Sequence, residues 1–189
     1  RRRAMVLLCR VIRKRPVKGR AGSPTFWQGI EAALPPLARG CTPFSEAADR
    51  AVATGQSYGG LAATYAGLHR PRRFGRILTQ SGSFWWPNMQ LIRNFGELKQ
   101  REMGWLTAQL IQRDLPASRL IIFMEAGNCE GDMAPLSEQM HEALVAAGHK
   151  TFFRIFSGGH DSLCWRGGLV DGLRWLLADF ADPQHPAET

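Results

Sequence analysis

The sequence predicts an α/β fold with a mainly parallel sheet flanked by helices. Three observations lead there. Short apolar runs alternate along the chain with segments of helical spacing. One run, Leu120-Ile121-Ile122-Phe123-Met124-Glu125, is continuously apolar up to its last residue and ends in Ala126-Gly127, as suits a strand buried on both faces. A third stretch, Ala51 to Leu68, passes from an apolar run through glycines into a small-residue helical pattern, with Gly55-Gln56-Ser57-Tyr58-Gly59-Gly60 at the junction.

The elements follow in order. Met5–Ile12 has strand character, and Val17–Pro24 is a basic loop punctuated by Gly and Pro. Phe26, Trp27, Ile30, Ala33 and Leu34 share one helical face, and Pro35-Pro36 ends or bends that helix. Ala51-Val52-Ala53 is the strand before Ser57, and Leu61–Leu68 the helix after it. Arg70-Pro71-Arg72-Arg73-Phe74-Gly75 breaks that helix. Arg76–Gln80 is the next strand, stopping at Ser81-Gly82-Ser83. Residues 87–115 are helical in part, with Met103–Asp114 the best candidate. After the 120–125 strand come a helix over Ala134–Ala147 with a glycine stop at Gly148, and a strand over Thr151–Phe156 ended by Gly158-Gly159. A last helix is expected over Gly168–Phe180, and the tail from Asp182 is Pro-rich.

At 189 residues the chain holds one domain's worth of core, with 44% hydrophobic and 21% charged residues. The net charge of +8 is local: residues 1–20 carry nine of the 24 basic residues and no acid, leaving 15 basic against 16 acidic elsewhere. One basic end without zinc-finger spacing, RNA-binding aromatics or a basic helix does not make a nucleic-acid surface. No apolar run approaches the roughly 20 residues of a membrane span. Arg1-Arg2-Arg3 before a short apolar run imitates a signal peptide only weakly. Cys9, Cys41, Cys129 and Cys164 are scattered with no CxxC pair, so a zinc or dithiol redox site has no support and free thiols in a reducing compartment are expected.

The Gly-x-Ser-x-Gly pattern between strand and helix is that of a nucleophile elbow. A sharp turn lifts the Ser57 hydroxyl from the sheet edge and sets the Tyr58 N–H at a helix N-terminus, as half of an oxyanion hole. A serine nucleophile needs a base, and the base an orienting acid. Of five histidines, His160 lies in a glycine-rich loop after a strand, where the backbone can turn an imidazole toward the carboxyl edge. It also comes late, as the Ser, acid, His order of α/β-hydrolases requires. Glu125, Glu130, Asp132 and Asp161 are candidate acids. The loop Gly127–Asp132 is the expected place, Glu130 is favoured over Asp132, and both stay open on these grounds.

Five stretches together resemble the enterochelin esterases. They are Gly55–Leu61, Tyr65–Pro71, Gln80-Ser81-Gly82-Ser83-Phe84-Trp85-Trp86-Pro87, Glu125-Ala126-Gly127 and Gly158–Leu169, the last including His160-Asp161-Ser162-Leu163-Cys164-Trp165-Arg166-Gly167-Gly168. The resemblance runs from about Phe26 to Phe180. It implies an α/β-hydrolase fold and cytoplasmic hydrolysis of the trilactone ester bonds of ferric enterobactin, releasing iron. It implies Ser57 as nucleophile, His160 as base and Glu130, 30 residues ahead of it, as acid. Trp85, Trp86 and Arg166 would line the substrate cleft, suited to an anionic tris-catecholate. No metal or organic cofactor is implied, since iron arrives with the substrate. The partner is that small molecule, with no nucleic acid and no membrane, and the oligomeric state is left open. A general carboxylesterase or thioesterase of the same fold, or an inactive truncated fragment, is the alternative.

Against that family the chain is expected to be N-terminally truncated. The family's N-terminal domain and the early strands carrying the second oxyanion donor have no counterpart, and one lost donor costs about 100-fold or more in rate. The expected organisation is a partly disordered basic segment over 1–25, an esterase domain over 26–181 and a tail over 182–189.

Overall fold

A computed structural model describes residues 5–8, 27–30, 32–33, 36, 45–92, 102–112 and 118–181. Five parallel strands form one sheet in chain order: β1 (Met5–Leu8), β2 (Ala51–Gln56), β3 (Arg76–Gln80), β4 (Ile121–Gly127) and β5 (Lys150–Phe156). Among the described residues the helices with full bounds are α1 (Tyr58–His69), α2 (Trp105–Ile111), α3 (Met133–Ala146) and α4 (Ser162–Ala181). β2 pairs with β3 through Gln56 opposite Gln80, and β3 with β4 through Gln80 opposite Glu125. All the parallel strands therefore end at one edge.

The two-residue period of each strand sorts its side chains between two cores. Ala51, Ala53, Ile77, Ile122 and Met124 pack with α1, α2 and α3 on one face. Val52, Leu78 and Phe123 point the other way and meet Leu176 of α4. β2 and β3 are buried along nearly their whole length, and so is β4, which fits its reading as a continuous apolar run. β5 lies at the end of the sheet, and its Phe152 and Ile155 are exposed.

The α/β architecture and its parallel sheet match the sequence reading. β1 forms within the Met5–Ile12 run read as having strand character, and its four residues pair in register with Ala51–Thr54. Two details differ. β4 runs on to Gly127. The last helix begins at Ser162, six residues ahead of the expected Gly168. There the Asp161 carboxylate accepts the N–H groups of Leu163 (2.8 Å) and Cys164 (3.0 Å), capping the helix start. Gly167 and Gly168 therefore sit inside the helix. Gly168 is there for a close approach: a Cβ would lie 1.9 Å from Glu125 Oε1. Of the expected helix over 26–37, residues 27–30, 32–33 and 36 are helical and the others lie outside the described residues, as do 113–117 and the tail from 182.

Candidate active site

Ser57 stands between β2 and α1 with φ 55° and ψ −123°, a backbone conformation that a side chain disfavours. Three hydrogen bonds hold it there. Its N–H donates to Gln80 O (3.0 Å), and its carbonyl accepts from Leu61 N (3.1 Å) and Ser83 N (3.0 Å). The turn can close because of Gly60, where a Cβ would lie 2.5 Å from Thr79 Oγ1 and 3.1 Å from Gly82 Cα. The hydroxyl is half-exposed, 3.4 Å from Ser83 Oγ. Tyr58 opens α1, so its N–H lies in the first turn, where helix geometry aims N–H groups out of the end.

On the other side of β3, the turn after β4 carries Glu130 and the turn after β5 carries His160. The Glu130 side chain has no exposed surface, and its Oε2 lies 3.4 Å from His160 Nδ1. Its Oε1 accepts a hydrogen bond from Ser81 Oγ at 2.7 Å. The imidazole keeps 39% of its surface and stands edge-on to the Trp165 indole, with ring centroids 4.8 Å apart. The two turns are stitched together by their backbones: Asn128 N donates to Phe156 O and Cys129 N to Gly158 O, each at 3.0 Å. The Asn128 side chain accepts from Gly158 N at 3.1 Å. The histidine-bearing loop is thereby fixed over the loop bearing Glu130.

The remaining candidate acids lie in other settings. Asp132 is buried at the N-cap of α3. Asp161 caps α4, and its carboxyl is held below the usual range by the bonds it accepts from Cys164. Glu125 is 2% exposed and belongs to a network under the sheet edge. It accepts from Gln80 Nε2 (2.6 Å) and pairs with Arg154 (2.9 Å), which also reaches Asp171 (3.1 Å). Burial lowers the Arg154 guanidinium's pKa, but these two carboxylates outweigh it and raise the net value.

Of the expected substrate-contacting residues, Arg166 is exposed on the first turns of α4 and Trp86 is half-buried, edge-on to Trp105 at 5.4 Å. Trp85 is 6% exposed, packed in the core with its ring 5.3 Å from that of Tyr58. Reasoning on the sequence missed Ser81. It is buried, has a positive φ of 48° like Ser57, and touches Glu130 directly. Its only sequence signal was its place at the end of a strand, in a Gln-Ser-Gly-Ser turn.

Among the described residues no group of three or more His, Cys, Asp or Glu side chains is placed to hold a metal, and no helix is long and apolar enough to cross a membrane. The geometry is a strained, half-exposed serine, a half-exposed histidine and a buried glutamate at one sheet edge. Such a set is equipped for nucleophilic acyl transfer.

The "Esterase" family model matches residues 9–176. The iron(III) enterobactin esterase of Dickeya dadantii (strain 3937) is 57% identical over 159 residues, which are 84% of this chain and 36% of that protein. A crystal structure of enterochelin esterase from Shigella flexneri superposes with a TM-score of 0.74 at 39% identity, covering 85% of this chain and 39% of that one. A second, of the Shigella flexneri enterobactin esterase in the presence of enterobactin, gives 0.72 at 41% identity over 82% of this chain and 37% of the other. The chain thus spans little more than a third of the length of these relatives. By the extent of the family match, the chain belongs to the esterase family.

Proposed function

We propose that this protein is a serine esterase acting on the trilactone of ferric enterobactin. Ser57 is the nucleophile, His160 the base, Glu130 the acid, and the Tyr58 N–H an oxyanion donor. The observation that carries the reading is the buried Glu130 carboxylate facing His160 Nδ1 at the same sheet edge as the strained Ser57. A carboxylate at Nδ1 favours the tautomer that leaves Nε2 free to accept a proton. His160 then takes the Ser57 proton as Oγ attacks an ester carbonyl. The oxyanion forms toward Tyr58 N–H, and the imidazolium, stabilised by Glu130, gives its proton to the departing alkoxide. Water, deprotonated by His160, attacks the acyl-serine, and Ser57 leaves with its proton restored.

The likeness to enterobactin esterases supports the substrate. The half-buried Trp86 and the exposed Arg166 offer an aromatic ring and a guanidinium, and Trp85 supports Tyr58 from the core. A catecholate anion stacks on the first and pairs with the second. Iron travels with the substrate, the chemistry needs no cofactor, and the reading places the reaction in the cytoplasm. In this reading residues 26–181 form the body of the esterase domain, β1 from within 1–25 adds a strand to its sheet, and 182–189 is the tail.

The test compares two substrates. Trp86→Ala and Arg166→Ala should each lower kcat/KM on ferric enterobactin by about tenfold, from roughly 1–2 kcal/mol of lost contact. Both should leave a small neutral nitrophenyl ester nearly unaffected. Equal losses on both substrates would refute the siderophore assignment in favour of a general esterase.

A further inference from the structure

Ser81 sits at the end of β3 with no exposed surface, so no substrate atom can reach its hydroxyl. Its oxygen nevertheless stands between two groups of the site. Trp165 Nε1 lies at 2.9 Å and Glu130 Oε1 at 2.7 Å. An indole N–H can only donate, so Ser81 Oγ accepts from it, and the one hydroxyl proton is left for the carboxylate. The direction of both bonds is therefore fixed. Trp165 is itself held from the same strand end, because Gln80 Nε2 donates to its carbonyl at 2.7 Å. The Trp165 indole also stands perpendicular to the His160 ring, with centroids 4.8 Å apart.

We propose that Ser81, braced by Trp165, is a positioning residue for Glu130. By occupying Oε1 with a donated proton it turns Oε2 toward His160 Nδ1 and keeps Glu130 an acceptor, so the imidazole is held as its Nδ1–H tautomer. This rests on the reading of His160 and Glu130 as base and acid. The positive φ of Ser81 fits the role: the backbone is bent at the one point from which a strand-end hydroxyl meets a carboxylate 49 residues further along the chain. Ser81 is thereby no second nucleophile, since it lacks both exposure and a disposable proton.

The experiment reads the tautomer of His160 in the folded chain by two-bond ¹H–¹⁵N correlation spectra, recorded where imidazoles are neutral. The His160 signals are assigned by their loss in His160→Gln. The parent should show the Nδ1–H form, and Glu130→Ala should move it to the Nε2–H form that imidazole prefers in water. Ser81→Ala should move the population the same way. Trp165→Phe, which keeps a ring against His160 and removes only the N–H, should give a smaller shift in the same direction. It also serves if Ser81→Ala does not fold. A purely structural role for Ser81 would lower stability without changing the tautomer of folded protein. Unchanged Nδ1–H spectra in both folded variants would overturn the proposal, and a shift in Ser81→Ala alone would overturn the bracing by Trp165. A parent already in the Nε2–H form, or indifferent to Glu130→Ala, would instead defeat the acid–base reading, and this inference with it.

Discussion

Ser57 keeps its unfavourable φ because Gln80, Leu61 and Ser83 all bond its backbone, and none of those bonds involves the hydroxyl. Ser57→Ala should therefore leave unfolding free energy within about 1 kcal/mol of the parent while abolishing ester hydrolysis. Denaturant melts beside nitrophenyl-ester assays check both halves, and retained turnover would remove Ser57 from the mechanism. Glu130 and Asp132 can be separated in the same way. Glu130→Gln should lower kcat by about 100-fold or more, because the neutral amide cannot stabilise the imidazolium, and Asp132→Asn by less than about tenfold. The reverse order would move the acid to Asp132. Ser57 and His160 were legible in sequence because glycines beside each mark a turn at a strand end. Glu130 was legible only as one of several loop carboxylates. Ser81 was not legible as its partner, since a serine in a turn is ordinary local chemistry and the contact that gives it a task spans β3 to β4.

At the scale of elements, α4 begins six residues ahead of the expected Gly168 because the Asp161 cap starts it there, and packing sets what each glycine inside it must be. Gly168 faces Glu125, which Gln80 and Arg154 hold in place, whereas nothing lies within 4 Å of a Cβ on Gly167. The two neighbours should respond to the same change with opposite sign. Gly167→Ala should stabilise by about 0.5–1 kcal/mol through helix propensity. Gly168→Ala should destabilise by about 1–3 kcal/mol, because Glu125 must leave its ion pair or the helix must move off the sheet. Urea titrations of both variants decide it. Destabilisation by Gly167→Ala, or none by Gly168→Ala, would contradict this packing of α4.

Across the whole molecule, half-buried imidazoles tie stability to pH. Desolvation holds the pKa values of His69, His141 and His149 below the ordinary histidine value. His149 Nδ1 also accepts the Leu120 N–H at 3.2 Å, which only an unprotonated nitrogen can do. The unfolded chain therefore binds more protons than the native state as pH falls through about 6.5, and stability present above that value is lost below it. Unfolding free energy should fall between about pH 7.5 and about pH 5, and His149→Gln, whose amide oxygen can accept without titrating, should flatten part of that fall. An unchanged slope in the variant would show that His149 is not a source of it. Asp161, held low by its capping bonds, adds a loss in the same direction at more acidic pH, as its carboxylate protonates. The parallel sheet could be anticipated from alternating strands and helices, but its strand order could not. Met5–Leu8 was legible as strand, but its pairing beside β2 was not, since a short apolar run does not say which neighbour it takes.

The central claim is that Ser57 is an activated nucleophile in this chain. Reaction with a fluorophosphonate, followed by intact mass and peptide mapping, tests it directly. One adduct per chain at Ser57, absent in Ser57→Ala and slowed at least about 100-fold in His160→Ala, is the predicted result. No adduct on the folded parent, or an adduct at another serine, would contradict it.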